Sequence, residues 1–238
     1  MSEEVNHWNE MTMEEFDGFE DPILFLPVGI SEGHGRHLPA GTDTFQADYV
    51  TERVCKELDK ETLIAPTLNY GRCRATSHLS GTLSVSFDSV RSIVYDILES
   101  VCNQGFTKLV IISGHSGSSH MKALELACED ILEDNDLDIM LLSDYYFAYD
   151  FKGDDVPETD GHGGQIETSR ILDIREDLVK EERPKRIIDY PEYMVIKDYS
   201  EYLTDGMRGD AAAGSKEEGK KINDYVIENI VELVKKNF

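Results

Sequence analysis

The segment KLVIIS at 108–113 constrains the fold of this chain more than any other stretch. It is apolar and rich in β-branched residues, which is typical of a parallel strand that is buried on both faces. ILFLPV at 23–28 and DIMLLS at 138–143 predict two further strands, and TLIAP at 62–66 predicts a shorter one. Helix-period stretches alternate with these runs. The alternation indicates an α/β fold, a mostly parallel sheet with helices on both faces.

Apolar residues at helical spacing predict the helices that connect these strands. The patterns fall at 44–59, 87–105, 121–132, 166–179 and 218–236. Gly105 is expected to end the second helix as the first residue beyond it. The segment 150–165 is mostly polar and has no apolar period, so it predicts a long loop of the kind that is often functional. Without a repeat or a linker, residues 1–238 are expected to form a single domain.

The charge balance excludes some classes of partner. The chain has 48 Asp and Glu against 23 Lys and Arg, a formal net charge of −25. Binding to nucleic acid or to an anionic membrane needs a basic surface, so neither is expected. The acidity fits either a solvated surface or a saline cytoplasm. No apolar run is long enough to cross a bilayer and no signal sequence is recognised, so we expect a cytoplasmic protein. The four cysteines have no metal-finger spacing and are expected to be reduced thiols.

Most of the histidines lie in or beside loops that follow predicted strands. They are His34, His37, His78, His115, His120 and His162. In open parallel sheets, ligands bind outside the carboxyl ends of the strands. Glu32, His34 and Asp43 come just past the first predicted strand, and His115 comes just past KLVIIS. These side chains would meet in one crevice if the two strands are neighbours.

The residue types in these loops suit a metal site. Carboxylate oxygens and neutral imidazole nitrogens are the usual ligands of zinc, manganese and related divalent ions. Glu32 and His34 point the same way on an extended segment. A carboxylate such as Asp43 could bridge two ions roughly 3.5–4 Å apart, as in two-metal hydrolases. On spacing alone, surface histidines in glycine-rich turns are an equally good interpretation.

Four sequence blocks, in the same order, resemble those of the creatininase (creatinine amidohydrolase) family. LPVGISEGHGRHLPAGTD is similar to the family signature LPVGSxEQHGPHLPLGTD. YGRCRATSHLSGTLSVS, SGHSGSS and DGHGGQIETS resemble the family segments that end in H-F-P-G-T-x-S, that read N-G-H-G-G-N and that read H-A-G-x-x-E-T-S. The resemblance covers residues 23 to about 230. It implies a doubly wound α/β fold and a homo-hexamer.

The resemblance also implies the site residues. Glu32, His34, Asp43 and His115 are the implied metal ligands, with Asp43 bridging two divalent ions of zinc, manganese or iron. His162 aligns with the histidine that the family places against the substrate, which makes it a candidate proton donor to the leaving nitrogen. Glu167 lies five residues further on, and we include it with His162 as a candidate catalytic residue.

The chain departs from creatininase proper at two points. A glutamate two residues after the fourth ligand is replaced by Gly117, so the second ion needs another ligand. Glu167 is the nearest candidate; the alternative is an outer carboxylate that orients a histidine or a water. The tryptophans that close the site of creatininase are also missing, because Trp8 is the only tryptophan. Creatinine is therefore not the expected substrate.

Arginines in the site-forming blocks indicate a further property of the substrate. Arg36 replaces the usual proline of H-G-P-H, and Arg72 and Arg74 flank Cys73 in the second block. Arginine binds carboxylate or phosphate through two parallel hydrogen bonds. The three arginines either pair with local Asp or Glu or hold an anionic group of the substrate. His78, in the same block, is a fourth candidate for substrate binding.

Together these patterns predict a metal-dependent hydrolase that cleaves a C–N bond, in a cyclic amide or a formamide of a small molecule, with a water activated by two metals. One alternative is the specific activity of an archaeal-type formylamino-pyrimidine nucleotide deformylase, which the arginines favour. Another is a metal-binding oligomer without catalysis. A dinucleotide-binding oxidoreductase is disfavoured because no G-x-G-x-x-G follows a predicted strand.

Overall fold

Five parallel strands form the central sheet of the protein, which a computed structural model describes over residues 5–151 and 156–238. The strands are β1 (Asn6–His7), β2 (Ile23–Val28), β3 (Thr62–Ile64), β4 (Lys108–Ser113) and β5 (Asp138–Ser143). Their order across the sheet is β1-β3-β2-β4-β5. A separate antiparallel pair is formed by β6 (Lys185–Arg186) and β7 (Gly209–Asp210).

Seven helices, some of them short, accompany the strands in the described part of the chain. They are α1 (Met13–Phe16), α2 (Thr42–Glu57), α3 (Phe87–Asn103), α4 (Ser118–Leu132), α5 (Asp144–Asp150), α6 (Gln165–Arg175) and α7 (Lys216–Asn237). Single 3₁₀ turns lie at Trp8–Glu10, Glu176–Leu178, Tyr199–Glu201 and Ala211–Ala213. No helix among the described residues combines the length and the apolarity that a bilayer span requires.

The predicted strands and helices agree with the structure within a few residues. β2, β4 and β5 have the predicted bounds, whereas β3 ends two residues early, at Ile64. Gly105 follows α3 with φ +90°, and its N–H donates to the carbonyl of Cys102 at 2.9 Å, as expected for a glycine just beyond a helix. The very short strands β1, β6 and β7 were not predicted, because two residues carry no periodic pattern. The predicted loop 150–165 lies partly outside the described residues, at 152–155.

Apolar side chains of the sheet alternate between two cores, one on each face. Phe25 and Val110 pack on one face with α2, α5, α6 and α7. Leu24 and Ile111 pack on the other face with α3 and α4. Both faces are covered because successive side chains of a strand point to opposite sides of the sheet. The fold is therefore the predicted doubly wound α/β arrangement with helices on both faces.

The strand order reverses at β2, because the connection from β2 leads to β3 on one side and the connection from β3 returns to β4 on the other side. β2 is followed in sequence by β3 on one side, yet β4 pairs with β2 on the other side, from Ile23 with Lys108 to Val28 with Ser113. At such a switch point the loops that leave two neighbouring strands diverge and open a crevice. The loops after β2 and β4 carry the predicted metal ligands, so the topology brings these residues to one place.

The helix α6 is held in the molecule by buried polar contacts. The Arg170 guanidinium is fully buried and donates to Asp144 at 2.6 Å and to Asn223 at 2.9 Å. α7 packs closely on α6 at Gly219, where a β-carbon would stand 1.8 Å from the carbonyl oxygen of Ser169. These contacts fix the position of α6, whose first turn carries Glu167.

Candidate metal centre

Three chain segments bring the predicted ligands together at the carboxyl ends of β2 and β4. Glu32 and His34 lie in the loop after β2, and Asp43 is the second residue of α2. His115 lies in the short loop between β4 and α4. Gly114 allows the two loops to meet, because a β-carbon there would stand 2.1 Å from the carbonyl oxygen of Asp43.

The side chains form two ligand groups that share the Asp43 carboxylate, and a third possible group combines Glu32 and His34 with His162. The first group contains Glu32, Asp43 and His115, and the second contains His34, Asp43 and Glu167; within each, the candidate ligand atoms lie within 4.8 Å of one another. In the first group, Nδ1 of His115 is 3.0 Å from Glu32 Oε2 and 3.2 Å from Asp43 Oδ2. In the second, Nε2 of His34 is 3.0 Å from Asp43 Oδ1 and 3.6 Å from Glu167 Oε2.

Several atoms of this cluster are buried without a hydrogen bond. They are Glu32 Oε2, His34 Nε2 and Asp43 Oδ2. Their nearest polar neighbours are other candidate ligands, at 3.0–3.2 Å, and native proteins keep buried charged groups only when these are paired or coordinate a metal. Ligand atoms that surround a cation lie close to one another without hydrogen-bond geometry, as these atoms do. These residues therefore fit divalent metal ions.

The ring of His34 is oriented for metal binding by its other nitrogen. Nδ1 donates a hydrogen bond to the carbonyl oxygen of Glu32 at 3.1 Å. This contact places the proton on Nδ1 and leaves the lone pair of Nε2 directed at Asp43 and Glu167 in the neutral ring. A second hydrogen bond of this kind is typical of metal-bound histidines.

The cluster is strongly coupled electrostatically. Burial disfavours the charged form of Glu32, but the charges of His115 and His162 outweigh it and lower the pKa of Glu32 to about 2. Burial likewise opposes protonation of His34, yet the charges of Asp43 and Glu167 raise its pKa to about 10. Without metal, protons on the histidines balance the carboxylates, so metal binding would release protons.

His162 and Glu167, the predicted catalytic residues, lie beside these groups. Nε2 of His162 donates to the carbonyl oxygen of Gly33 at 2.8 Å, and the His162 ring lies 4.0 Å from the His34 ring. Glu167 Oε2 accepts a hydrogen bond from the Gly163 N–H at 2.6 Å. Glu167 thus lies among the candidate ligands. The sequence left open whether its carboxylate binds the ion or orients a histidine or a water.

A cavity of about 210 Å³ opens onto the cluster. It is lined by Glu32, Asp43, His115, His162 and Glu167. Residues that the sequence did not single out also line it, among them Thr76, Tyr145 and Tyr190. Thr76 donates a short hydrogen bond to Glu32 Oε1. Burial raises the pKa of Tyr145 well above its ordinary value, so its hydroxyl stays protonated. Tyr145 follows the carboxyl end of β5, so the rule that located His115 could also have found it.

The remaining histidines of the predicted set lie outside the two ligand groups. His37 bonds Thr168 Oγ1 at 3.0 Å, and burial lowers its pKa to about 4. Nδ1 of His120 accepts the Arg72 N–H at 3.3 Å, and burial lowers its pKa to about 3. His78 bonds the carbonyl oxygen of Leu203 at 3.0 Å. His37 and His120 are therefore neutral core residues.

The arginines of the site-forming blocks divide into two sets. Arg72 and Arg74 line a cavity that also contains Glu32 and His115. Arg36 is exposed and lines neither this cavity nor the one over the cluster, and the same holds for His78. The geometry thus separates Arg72 and Arg74 from the other two candidates for substrate binding.

Comparison with known proteins decides the family. The sequence pattern of the creatininase family, described as creatinine amidohydrolase, matches residues 9–234. The chain belongs to the creatininase family. This is a family of hydrolases that act on C–N bonds.

Two relatives illustrate the range of the creatininase family around this chain. Creatinine amidohydrolase of Pseudomonas putida is 26% identical over 259 residues, which cover 96% of either chain. The mycofactocin precursor peptide peptidase of Mycolicibacterium smegmatis is 28% identical over 162 residues, 66% of this chain and 60% of the peptidase. Among solved structures, one described as "Creatininase Mn" superposes with a TM-score of 0.85 at 25% identity and covers 99% of both chains.

Proposed function

We propose that the protein is a metal-dependent hydrolase of an amide or formamide C–N bond that uses two divalent ions. The observation that carries this proposal is the pair of ligand groups that share Asp43 and leave buried atoms without hydrogen bonds at the base of a cavity. Glu32 and His115 would hold one ion, His34 and Glu167 would hold the other, and Asp43 would bridge them. Membership of a C–N hydrolase family supports the same chemistry.

The ions and the protein side chains would supply different parts of the reaction. Bound divalent ions supply a nucleophilic water at neutral pH and a Lewis acid for the amide carbonyl. Thr76 holds Glu32 in place through its short hydrogen bond. Tyr145 lines the cavity, and its protonated hydroxyl is hydrogen-bonded to Tyr149; on exchanging that bond for the substrate it would donate to the amide carbonyl oxygen as negative charge develops there.

His162 is placed to give a proton to the departing nitrogen. It lines the cavity, and its Nε2–H is engaged by the carbonyl of Gly33. Nδ1 is therefore the nitrogen through which the ring exchanges a proton with the substrate. General acid catalysis of this kind needs a group within hydrogen-bond reach of the leaving nitrogen, which a substrate in the 210 Å³ cavity would satisfy.

The walls of the cavity favour a small amide other than creatinine. The only tryptophan of the chain, Trp8, packs against Phe16 and Phe106, away from the cavity. Tyr190 and Leu203 occupy the cavity wall instead. The lining of the cavity contains no tryptophan, so creatinine is not the expected substrate.

The test is a screen of cyclic amides and formamides with protein reconstituted separately with zinc, manganese and iron. Release of formate or of a new amine is measured, with creatinine as a comparison substrate that should react poorly. Asp43→Ala is the matched control, and it should reduce turnover to the background rate. A protein that binds two ions per chain yet cleaves no compound of either class would instead support the metal-binding oligomer without catalysis.

The assembly is a separate part of the proposal. Homo-hexamer formation is a prediction from the family resemblance, and sedimentation equilibrium measures it directly. A monomeric mass at micromolar concentration would contradict it.

A further inference from the structure

A second cavity, of about 160 Å³, adjoins the one over the metal ligands. The two cavities share Glu32, Ala75, His115 and Gly117 as lining residues. The residues that line the second cavity and not the first are Arg72, Cys73, Arg74, Ser118, Ser119 and Tyr199. A substrate whose amide lies at the cluster can therefore extend into a space bounded by two guanidinium groups.

Neither Arg72 nor Arg74 forms an ion pair with a carboxylate of the described residues. Arg72 donates to the carbonyl oxygen of Val85 at 3.5 Å, and Arg74 donates to that of Ile196 at 2.7 Å. Arg74 also lies 5.6 Å from the ring centre of Tyr199. By contrast, Arg91 is paired with Asp130 at 2.6 Å. A guanidinium has five N–H donors, so both residues keep donors available for a ligand.

The first turn of α4 contributes further donors to the same cavity. The first hydrogen bonds of this helix are donated by His120 and Met121 to the carbonyl oxygen of Gly117, both at 2.9 Å. The N–H groups of Ser118 and Ser119 precede these bonds and have no acceptor within the helix. The 15-residue helix has no acidic residue in its first turn and no side-chain cap. The positive end of the α4 dipole and the two arginines therefore face the same cavity, where both favour a bound anion.

We propose that this second cavity is an oxyanion subsite that binds a phosphoryl group of the substrate. The proposal rests on the proposed amide hydrolysis at the adjoining cluster and narrows its substrate to a phosphorylated amide or formamide. A phosphoryl group has three terminal oxygens and a charge of about −1.5 to −2 near neutral pH. It can use guanidinium, backbone and hydroxyl donors at once, whereas a carboxylate has only two oxygens.

The overall charge makes this local arrangement necessary for an anionic ligand. A chain with a net charge of −25 repels anions at long range, so only a local concentration of positive groups can hold one. Glu32 is the carboxylate that lines the second cavity, and it is engaged by Thr76 and faces the metal cluster. Arg72, Arg74 and the start of α4 therefore determine the potential on the other side.

Titration of the zinc-loaded protein with inorganic phosphate, followed by ³¹P NMR, tests the subsite. Arg72→Ala and Arg74→Ala should each weaken phosphate binding roughly 10- to 150-fold, the range for one charge-assisted hydrogen bond. Arg91→Ala is the matched control and should leave the affinity unchanged. Raising the salt concentration should weaken binding to the wild type, since part of the attraction is screened.

Phosphate that binds the wild type and both variants equally would overturn the proposal, because such binding is at the metal ions or adventitious. Acetate that binds as tightly as phosphate and depends equally on Arg72 and Arg74 would overturn the phosphoryl assignment. Arg74 also donates to the carbonyl oxygen of Ile196, so Arg74→Ala can destabilise that segment. Thermal melting is therefore measured for each variant, and Arg72→Ala tests the subsite independently. These readouts do not require turnover. A failure of amide hydrolysis is therefore distinguishable from a failure of the subsite.

Discussion

The backbone of Gly117 lies against the imidazole of His115, so that a β-carbon at position 117 would stand 2.3 Å from Nε2 of that ring. Real β-carbons essentially never approach a heavy atom within 3.0 Å. Any side chain at 117 must therefore displace the ring, whose Nδ1 belongs to the first ligand group. The glycine that replaces the family glutamate at 117 is thus coupled to the orientation of His115. A carboxylate is supplied to the other ligand group by Glu167 instead.

Gly117→Ala should lower the affinity for the ion of the first group about 10- to 100-fold, the usual effect of disturbing a contact that orients a ligand. Competition with a chelator of known affinity measures the change. Gly161→Ala is the matched control, because the nearest atoms to its β-carbon would lie 3.6 Å away, an ordinary contact. If the metal affinity of Gly117→Ala equals that of the wild type, His115 does not bind an ion in this orientation.

The shared position of Asp43 predicts a characteristic metal stoichiometry. Asp43→Ala removes a ligand from both groups and should leave the protein without bound metal, whereas Glu167→Gln affects only the second group and should retain about one ion per chain. Elemental analysis after gel filtration gives the ratios. Full metal content in Asp43→Ala would end the bridging assignment. Two ions retained in Glu167→Gln would make Glu167 an outer carboxylate.

Much of the fold and part of the site could be predicted because the relevant signals are local. β4 is apolar and β-branched, and the blocks around Glu32 and His115 follow strands directly. The contributions of Tyr190 and Thr76 could not be read from the chain, since each reaches the cavity through a segment without regular structure. The pairing of β2 with β4 is a long-range contact, and it decides whether the ligands meet.

The role of His162 is tested by separating metal binding from turnover. His162 forms a possible ligand group with Glu32 and His34, but its Nε2–H donates to the carbonyl of Gly33, which favours a proton donor over a ligand. His162→Ala should keep the metal content of the wild type and lower kcat by about 10²–10⁴ on the amide that the screen identifies. Loss of metal together with activity would show that His162 is a ligand.

Asp160 predicts a pH dependence of stability that arises outside the metal groups. Its side chain is 3% exposed and accepts hydrogen bonds from the backbone N–H groups of Gln165 at 2.7 Å and Ile166 at 3.3 Å, at the start of α6. Burial raises the pKa of Asp160 from 3.8 to about 6, although these two N–H groups act in the opposite direction. The carboxyl group is therefore easier to protonate in the folded protein than in the unfolded chain.

Because the folded pKa is the higher one, the contribution of Asp160 to stability is fully present below about pH 4 and is lost as the pH rises to about 6. Over this window the Asp160 contribution to the free energy of unfolding should fall by up to about 3 kcal/mol, from 1.36 kcal/mol per pKa unit. Asp160→Asn cannot titrate at this position, so the difference in free energy of unfolding between the two proteins should change by that amount across the window. Urea unfolding of metal-free protein between pH 4 and 7 measures both curves. Metal is excluded because its charge would shift the titration of Asp160. Parallel curves for the two proteins would show that Asp160 titrates alike in the folded and unfolded states.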